Sequence, residues 1–249
     1  MDSDEETRYS RQIVIPEIGK DGQEKLKEAK VVVIGTGGLG SPILMNLVAA
    51  GIGNVKFVDN DVVDVSNLNR QTLHSTSRIG MRKAESARKA LSDLNPSVHL
   101  EPIDAMFTQE NAKEVLEGAG YAIDASDNFE TKFLLNDTAV ELNIPCTIGG
   151  VIRWDGQLMS IQPGKTACYR CIFTDIPPPG TMKKPSELGI IGVTANVMGS
   201  IAATEAIKYF LGFSNEQRLL NRMLMMDLRT MDFTKVKISK NPRCKACSE

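Results

Sequence analysis

The apolar positions of the first 150 residues follow two alternating periods. Short β-branched or apolar runs at 31–34, 55–59, 99–103, 121–124 and 145–148 predict strands. Between them, positions 42–50, 82–94, 109–118 and 130–143 carry helical spacing. Strands alternating with helices predict an α/β fold, a doubly wound and mostly parallel sheet. Ligands of such sheets sit beyond the carboxyl ends of the strands. Gly35, Asp59 and the segment 124–128 all fall at strand ends and should converge on one crevice.

After Gly150 the pattern changes. Residues 157–161 and 233–238 alternate, with Thr234, Val236 and Ile238 on one face and Lys235 and Lys237 on the other, and 223–226 is an apolar strand candidate. These predict antiparallel strands that extend the sheet. Residues 174–192, with Pro177-Pro178-Pro179-Gly180 and two lysines, predict a long mobile loop, and 194–211 a helix stopped by Gly212. No repeat or linker divides the chain, so the expectation is one domain over 1–249, with a first half at 1–150 and an antiparallel extension at 151–249.

The first strand empties into Gly35-Thr36-Gly37-Gly38-Leu39-Gly40 and then a helix. Glycines let backbone approach a phosphate closely, and the helix end offers free N–H donors and a positive dipole. About twenty residues on, an acidic residue should close the next strand and hold ribose hydroxyls, and Asp59 stands there. Strand, loop, helix and acid in register make this a Rossmann-like nucleotide site, against the rival of a purely structural glycine turn.

Composition narrows the partners. The net charge of -2 over 249 residues gives no reason to expect nucleic acid or an anionic membrane. No apolar run approaches the ~20 residues of a membrane span. The acidic opening Asp2-Ser3-Asp4-Glu5-Glu6 is unlike a secretory signal, and a cytoplasmic location is expected. Four of the five cysteines form two C-x-x-C pairs, Cys168/Cys171 and Cys244/Cys247. Two such pairs predict a tetrahedral Zn²⁺ site that clips the end of the chain onto its middle, with a redox pair as the rival. Cys146 reads as a buried strand cysteine.

More polar equipment follows the ribose-binding strand than hydride transfer needs. Asp59 and Asp61 precede Ser66-Asn67-Leu68-Asn69-Arg70-Gln71, and Lys83 opens the next helix. Asn67, Arg70 and Lys83 could bind phosphates, and Asp127 is the natural Mg²⁺ ligand. Arg8 and Arg11 are three apart and should share a helix face. Each residue alone reads as a surface charge; together they describe a site for a nucleotide triphosphate with metal.

Arg8-x-x-Arg11-Gln12, the glycine loop, Asp59-x-Asp61, Ser66-Asn67-Leu68-x-Arg70-Gln71, Lys83, Asp127-Asn128, Gly149-Gly150 and both C-x-x-C pairs keep one order and spacing. In this the chain resembles the MoeB/ThiF/HesA family, relatives of the ubiquitin-activating enzymes. The resemblance runs from about Arg8 to Cys247. It implies an adenylyltransferase that uses ATP and Mg²⁺ to activate the C-terminal glycine carboxylate of a small ubiquitin-fold sulfur carrier ending in Gly-Gly. By motif position, Gly35, Gly37, Gly38 and Gly40 would hold the nucleotide and Asp59 the ribose. Arg70, Lys83 and Asn67 would bind phosphates, and Asp127 the Mg²⁺. Arg11 resembles the family's arginine finger, which reaches the site from the partner subunit and so implies a homodimer.

One departure stands out. Some members carry a cysteine in the crossover loop that forms a covalent link to the carrier, and residues 172–221 contain none. The expected reaction is therefore adenylation without an enzyme-bound thioester. The rivals are adenylation of a small-molecule carboxylate, an NAD-dependent oxidoreductase and a non-catalytic nucleotide-binding scaffold.

Overall fold

The sheet grows outward from the run Val31-Val32-Val33-Ile34, which is apolar on both sides because both sides are covered. Val31 and Val33 pack into one core cluster, Val32 and Ile34 into another. A strand buried on both faces has no polar alternation to show. The computed structural model describes residues 1–178, 181 and 185–248.

Three helices, α1 (Ser3–Arg8), α2 (Ser10–Ile13) and α3 (Gly19–Glu28), precede β1 (Lys30–Ile34). There follow α4 (Gly40–Ala50), β2 (Asn54–Val58), α5 (Lys83–Leu94), β3 (His99–Ile103), α6 (Ala112–Leu116), β4 (Tyr121–Asp124) and α7 (Phe129–Glu141). The remainder is β5 (Cys146–Ile152), β6 (Asp155–Ile161), α8 (Pro185–Leu188), α9 (Gly192–Phe210), β7 (Arg222–Asp227) and β8 (Asp232–Lys237). The strands form one sheet in the order β3-β2-β1-β4-β5-β6-β7-β8. Pairing is parallel from β3 through β5 and antiparallel from β5 to β8. The fold is the α/β sheet that the sequence predicts.

The chain steps outward from β1 to β2 to β3, then returns to place β4 on the other side of β1. That reversal opens a crevice at the carboxyl ends of β1 and β4, where connections leave in opposite directions. Helix α9 braces it: Gly199 lies so close to α4 that an added Cβ would sit 2.5 Å from Pro42 Cγ and 2.8 Å from the Leu39 carbonyl oxygen.

Several expectations need correction. Arg8 and Arg11 do not share one helix, because Tyr9 interrupts it between α1 and α2. Tyr9 is turned inward and buried, its hydroxyl accepting from Asn95 Nδ2 at 2.8 Å. Strand β5 runs through Gly149 and Gly150 to Ile152 and turns directly into β6, so the change of pattern at residue 150 lies inside a strand. Strand β8 keeps its side-chain alternation without burial, since it is the last strand at one edge of the sheet; Phe233 and Val236 are both about half exposed. The loop expected at 174–192 contains α8, and Arg153 at the β5–β6 turn pairs with it, its N–H donating to the Gly189 carbonyl at 2.8 Å. Residues 179, 180 and 182–184 of that stretch, including one proline, the glycine and both lysines, lie outside the described residues.

Candidate active site

The glycine loop is shaped by backbone crowding at two of its positions and by open space at two others. Gly35 has φ +102°, and a Cβ there would meet the Ala125 carbonyl oxygen at 2.9 Å. Gly40 is tighter still, with a Cβ falling 2.1 Å from the Gly35 carbonyl oxygen. At Gly37 and Gly38 the nearest atoms would be 3.5 Å away, an ordinary contact. Folding therefore demands glycine at 35 and 40, whereas at 37 and 38 its absence of a side chain leaves room on the cleft side. That is the cradle a phosphate-bearing ligand needs.

Two side chains lock the loop. Asp59, just after β2, accepts from the Thr36 N–H at 2.8 Å and from Thr36 Oγ1 at 2.9 Å through Oδ2, while its Oδ1 accepts from the Asp61 N–H at 2.9 Å. From beneath, His74 Nε2 lies 3.1 Å from the Thr36 carbonyl oxygen and Nδ1 2.9 Å from Ser86 Oγ. A carbonyl only accepts, so Nε2 carries the proton and Nδ1 accepts from the serine. Burial pushes the His74 pKa down to about 4, so the ring is neutral at physiological pH.

The loop opens on a cleft of about 1350 Å³. Gly35, Gly37, Gly38, Asp59, Asp61, Arg70 and Lys83 all line it. Lys83 is only 5% exposed, and its Nζ donates to Asp61 Oδ2 at 2.9 Å. Arg70 Nη1 donates to the Ser66 carbonyl at 2.9 Å and to Asn69 Oδ1 at 3.2 Å. Asp127 also lines the cleft, exposed on the loop after β4, and no hydrogen bond or ion pair engages its carboxylate among the described residues. One cleft thus carries a free carboxylate, two cations and a glycine loop, a set that suits a divalent cation held between Asp127 and phosphates. Gln71 adds a buried Oε1 with no partner among the described residues, a spare acceptor on the same cleft wall.

Three sequence-selected residues are not brought to this lining. Gly40 lies beneath the loop for the steric reason above. Asn67 turns its Oδ1 back to the Asp64 N–H at 3.2 Å, closing a reciprocal cap on the short 3₁₀ helix Val65–Asn67, and its neighbours Ser66, Asn69 and Arg70 face the cleft instead. Arg11 is exposed outside the cleft of its own chain.

Lys132 and His74 were not singled out from sequence. Lys132 lies in α7, 7% exposed, and pairs with Asp124 Oδ2 at 2.5 Å. A lysine inside a helical run reads as solvated surface, and only its placement over the end of β4 reveals otherwise.

The two C-x-x-C pairs meet. Cys168 Sγ is 3.5 Å from Cys244 Sγ and 4.0 Å from Cys171 Sγ, and Cys171 Sγ is 3.4 Å from Cys247 Sγ. All four sulfurs lie within 4.8 Å of one another. Thiolates about 2.3 Å from a tetrahedral Zn²⁺ stand roughly 3.8 Å apart, so the spacing fits one ion. The Asn241 N–H donates to Cys171 Sγ at 3.3 Å, the kind of outer contact that orients a ligating thiolate.

A profile described as the ThiF family matches residues 9–246. This chain belongs to the ThiF family. It is 43% identical over 247 residues to a sulfur carrier protein adenylyltransferase of Thermus thermophilus, covering 97% of this chain and 90% of that protein. It is 41% identical over 249 residues to the SAMP-activating enzyme E1 of Haloferax volcanii, covering 100% of this chain and 91% of that one. The adenylyltransferase and sulfurtransferase MOCS3 of Drosophila sechellia is also 41% identical, but this ThiF-family chain spans only 54% of its length. Among solved structures, E. coli MccB with ATP is 25% identical with a TM-score of 0.82, covering 97% of this chain and 74% of MccB. Among the described residues, no helix is long and apolar enough to cross a membrane.

Proposed function

We propose that this ThiF-family chain uses Mg-ATP to adenylate the C-terminal glycine carboxylate of a small ubiquitin-fold sulfur carrier ending in Gly-Gly. The observation that carries the reading is the cleft: Lys83, Arg70 and the unengaged Asp127 line it together with the glycine loop. Support comes from the near full-length match to relatives named a sulfur carrier protein adenylyltransferase and a SAMP-activating enzyme E1.

A carboxylate oxygen of the carrier attacks the α-phosphorus, the bond from that phosphorus to the β-bridging oxygen breaks, and pyrophosphate leaves with the electron pair. Two anions must approach, so the work of the site is charge neutralisation and positioning, with no protein nucleophile. Arg70 and Lys83 bind the phosphates, and Asp59 receives the ribose while it braces Thr36. Asp127 would hold Mg²⁺, which would supply further neutralisation of phosphate charge. Arg11 completes the site of the second subunit of a homodimer, which accounts for its exposed place outside its own cleft.

The cysteine cluster holds one structural Zn²⁺, because four thiolates leave no open coordination position. Free thiols in ligand spacing also favour a reducing compartment, the cytoplasm. The test is ATP–pyrophosphate exchange. A carrier ending in Gly-Gly should stimulate it strongly and small carboxylic acids should not. Exchange driven by a small acid alone would overturn the carrier in favour of a small-molecule substrate.

A further inference from the structure

Lys132 sits where the β4–α7 connection meets β5. Its Nζ lies 2.5 Å from Asp124 Oδ2, 2.8 Å from the Ser126 carbonyl oxygen and 2.6 Å from the Gly149 carbonyl oxygen. An ammonium has three protons, and here each has an acceptor. The acceptors belong to two stretches of chain behind the cleft wall. Asp124 ends β4, Ser126 lies in the loop that carries Asp127, and Gly149 lies in β5 beside cleft-lining Gly150. Asp124 is 1% exposed and spends its other oxygen on the same loop, Oδ1 accepting from Ser126 Oγ at 2.5 Å and from the Ser126 N–H at 3.2 Å.

An isolated ion pair for stability would need one carboxylate. This lysine instead anchors two backbone carbonyls, one in the loop that leaves β4 and one in the neighbouring strand β5. We propose that Lys132 is a positioning residue that clamps the Asp127 loop to β5, setting where the metal-binding carboxylate stands relative to the wall that leads toward β6. The inference rests on the reading of Asp127 as the Mg²⁺ ligand. Lys132 touches neither phosphate nor carboxylate substrate in this argument. It acts through the Ser126 carbonyl and Asp124 on the backbone one residue before Asp127.

The test uses three variants of the full chain: Lys132→Arg, Lys132→Met, and Lys132→Met with Asp124→Asn. The double variant removes both charges, so it guards against loss of fold from an unpaired buried carboxylate. Melting temperature and circular dichroism establish folding. The readout is calorimetric binding of ATP across a Mg²⁺ titration, with pyrophosphate exchange measured in parallel. Outer-shell changes typically cost about ten- to a hundredfold in metal affinity. The folded double variant should need roughly that much more Mg²⁺ to reach half-maximal ATP binding, with metal-free ATP binding little changed. Lys132→Arg, which can still donate to all three acceptors, should recover most of the difference.

A folded double variant with the wild-type Mg²⁺ midpoint would overturn the clamp and leave Lys132 a structural ion pair. Wild-type protein that binds Mg-ATP but shows no exchange with any carrier would instead defeat the proposed reaction, and the clamp would still be judged on the Mg²⁺ midpoint.

Discussion

His74 holds the glycine loop at Thr36: its Nε2–H donates to the Thr36 carbonyl at 3.1 Å, while Asp59 grips the N–H and hydroxyl of the same residue. Thr36 is thereby fixed from below and from the side, and its neighbours Gly35 and Gly37 are held with it. The loop is rigid before any ligand arrives, which reduces the ordering cost of binding.

Stability should fall with pH in the His74 window. The folded-state pKa is lowered from 6.5 to about 4 by burial, so below 6.5 the unfolded chain takes up a proton that the folded ring does not. The stability is fully present above 6.5 and is lost as pH falls toward 4, at up to about 1.4 kcal/mol per pH unit. In urea titrations from pH 7 to 4, the wild type should lose stability faster than His74→Gln. Parallel curves would show that His74 carries no proton linkage.

Gly40 and Gly37 should fail differently. Gly40→Ala places a Cβ against the Gly35 carbonyl and should lower the melting temperature markedly. Gly37→Ala meets nothing closer than 3.5 Å, so it should melt like the wild type while weakening ATP binding at least tenfold, about 1.4 kcal/mol. An unchanged ATP affinity in Gly37→Ala would remove that position from the nucleotide contact.

Metal analysis under reducing conditions should find one zinc per chain. On chelation, amides of residues 241–248 should exchange with solvent faster, because their main ties to the body are the cysteine cluster and the exposed Lys245–Asp175 pair. Protein without zinc, carrying two disulfides, would make the pairs redox-active instead.

Arg11→Ala and Asp127→Ala should each abolish pyrophosphate exchange. Heterodimers of the two should regain part of it, since one of their two sites receives both an intact Asp127 and the partner's Arg11. Verified heterodimers without activity would exclude Arg11 from acting across the interface.

Incubation with ATP and a carrier should leave this chain unmodified in intact mass spectrometry. Residues 172–221 hold no cysteine, and Cys146 is wholly buried in β5, where desolvation raises its thiol pKa. Little thiolate is then available to attack an acyl-adenylate. A reducible conjugate lost on Cys146→Ser would contradict this.

Much of the site was legible because its signals are local. Gly35 through Gly40, Asp59, Lys83 and Asp127 each sit close to the end of a strand or the start of a helix, and the order of strands carries them to one end of a parallel sheet, while Arg70 lies in the connection between β2 and α5. Cys168, Cys171, Cys244 and Cys247 announced themselves by a spacing that suits a shared ion. Other residues could not be read this way. Asn67 has the composition of a phosphate ligand, but its side chain caps its own turn, a choice between two hydrogen bonds that the sequence leaves open. Arg8 and Arg11 have helical spacing, but Tyr9 breaks the helix because its ring has a buried place beside Asn95. The sequence by itself determined the sheet, the loop and the class of ligand, since these follow from periodicity and backbone sterics within short stretches of chain. Only the tertiary structure decided that Lys132 and His74 lie inside and hold the loops together, because a polar side chain becomes a fastening only when distant segments bring it acceptors and exclude water.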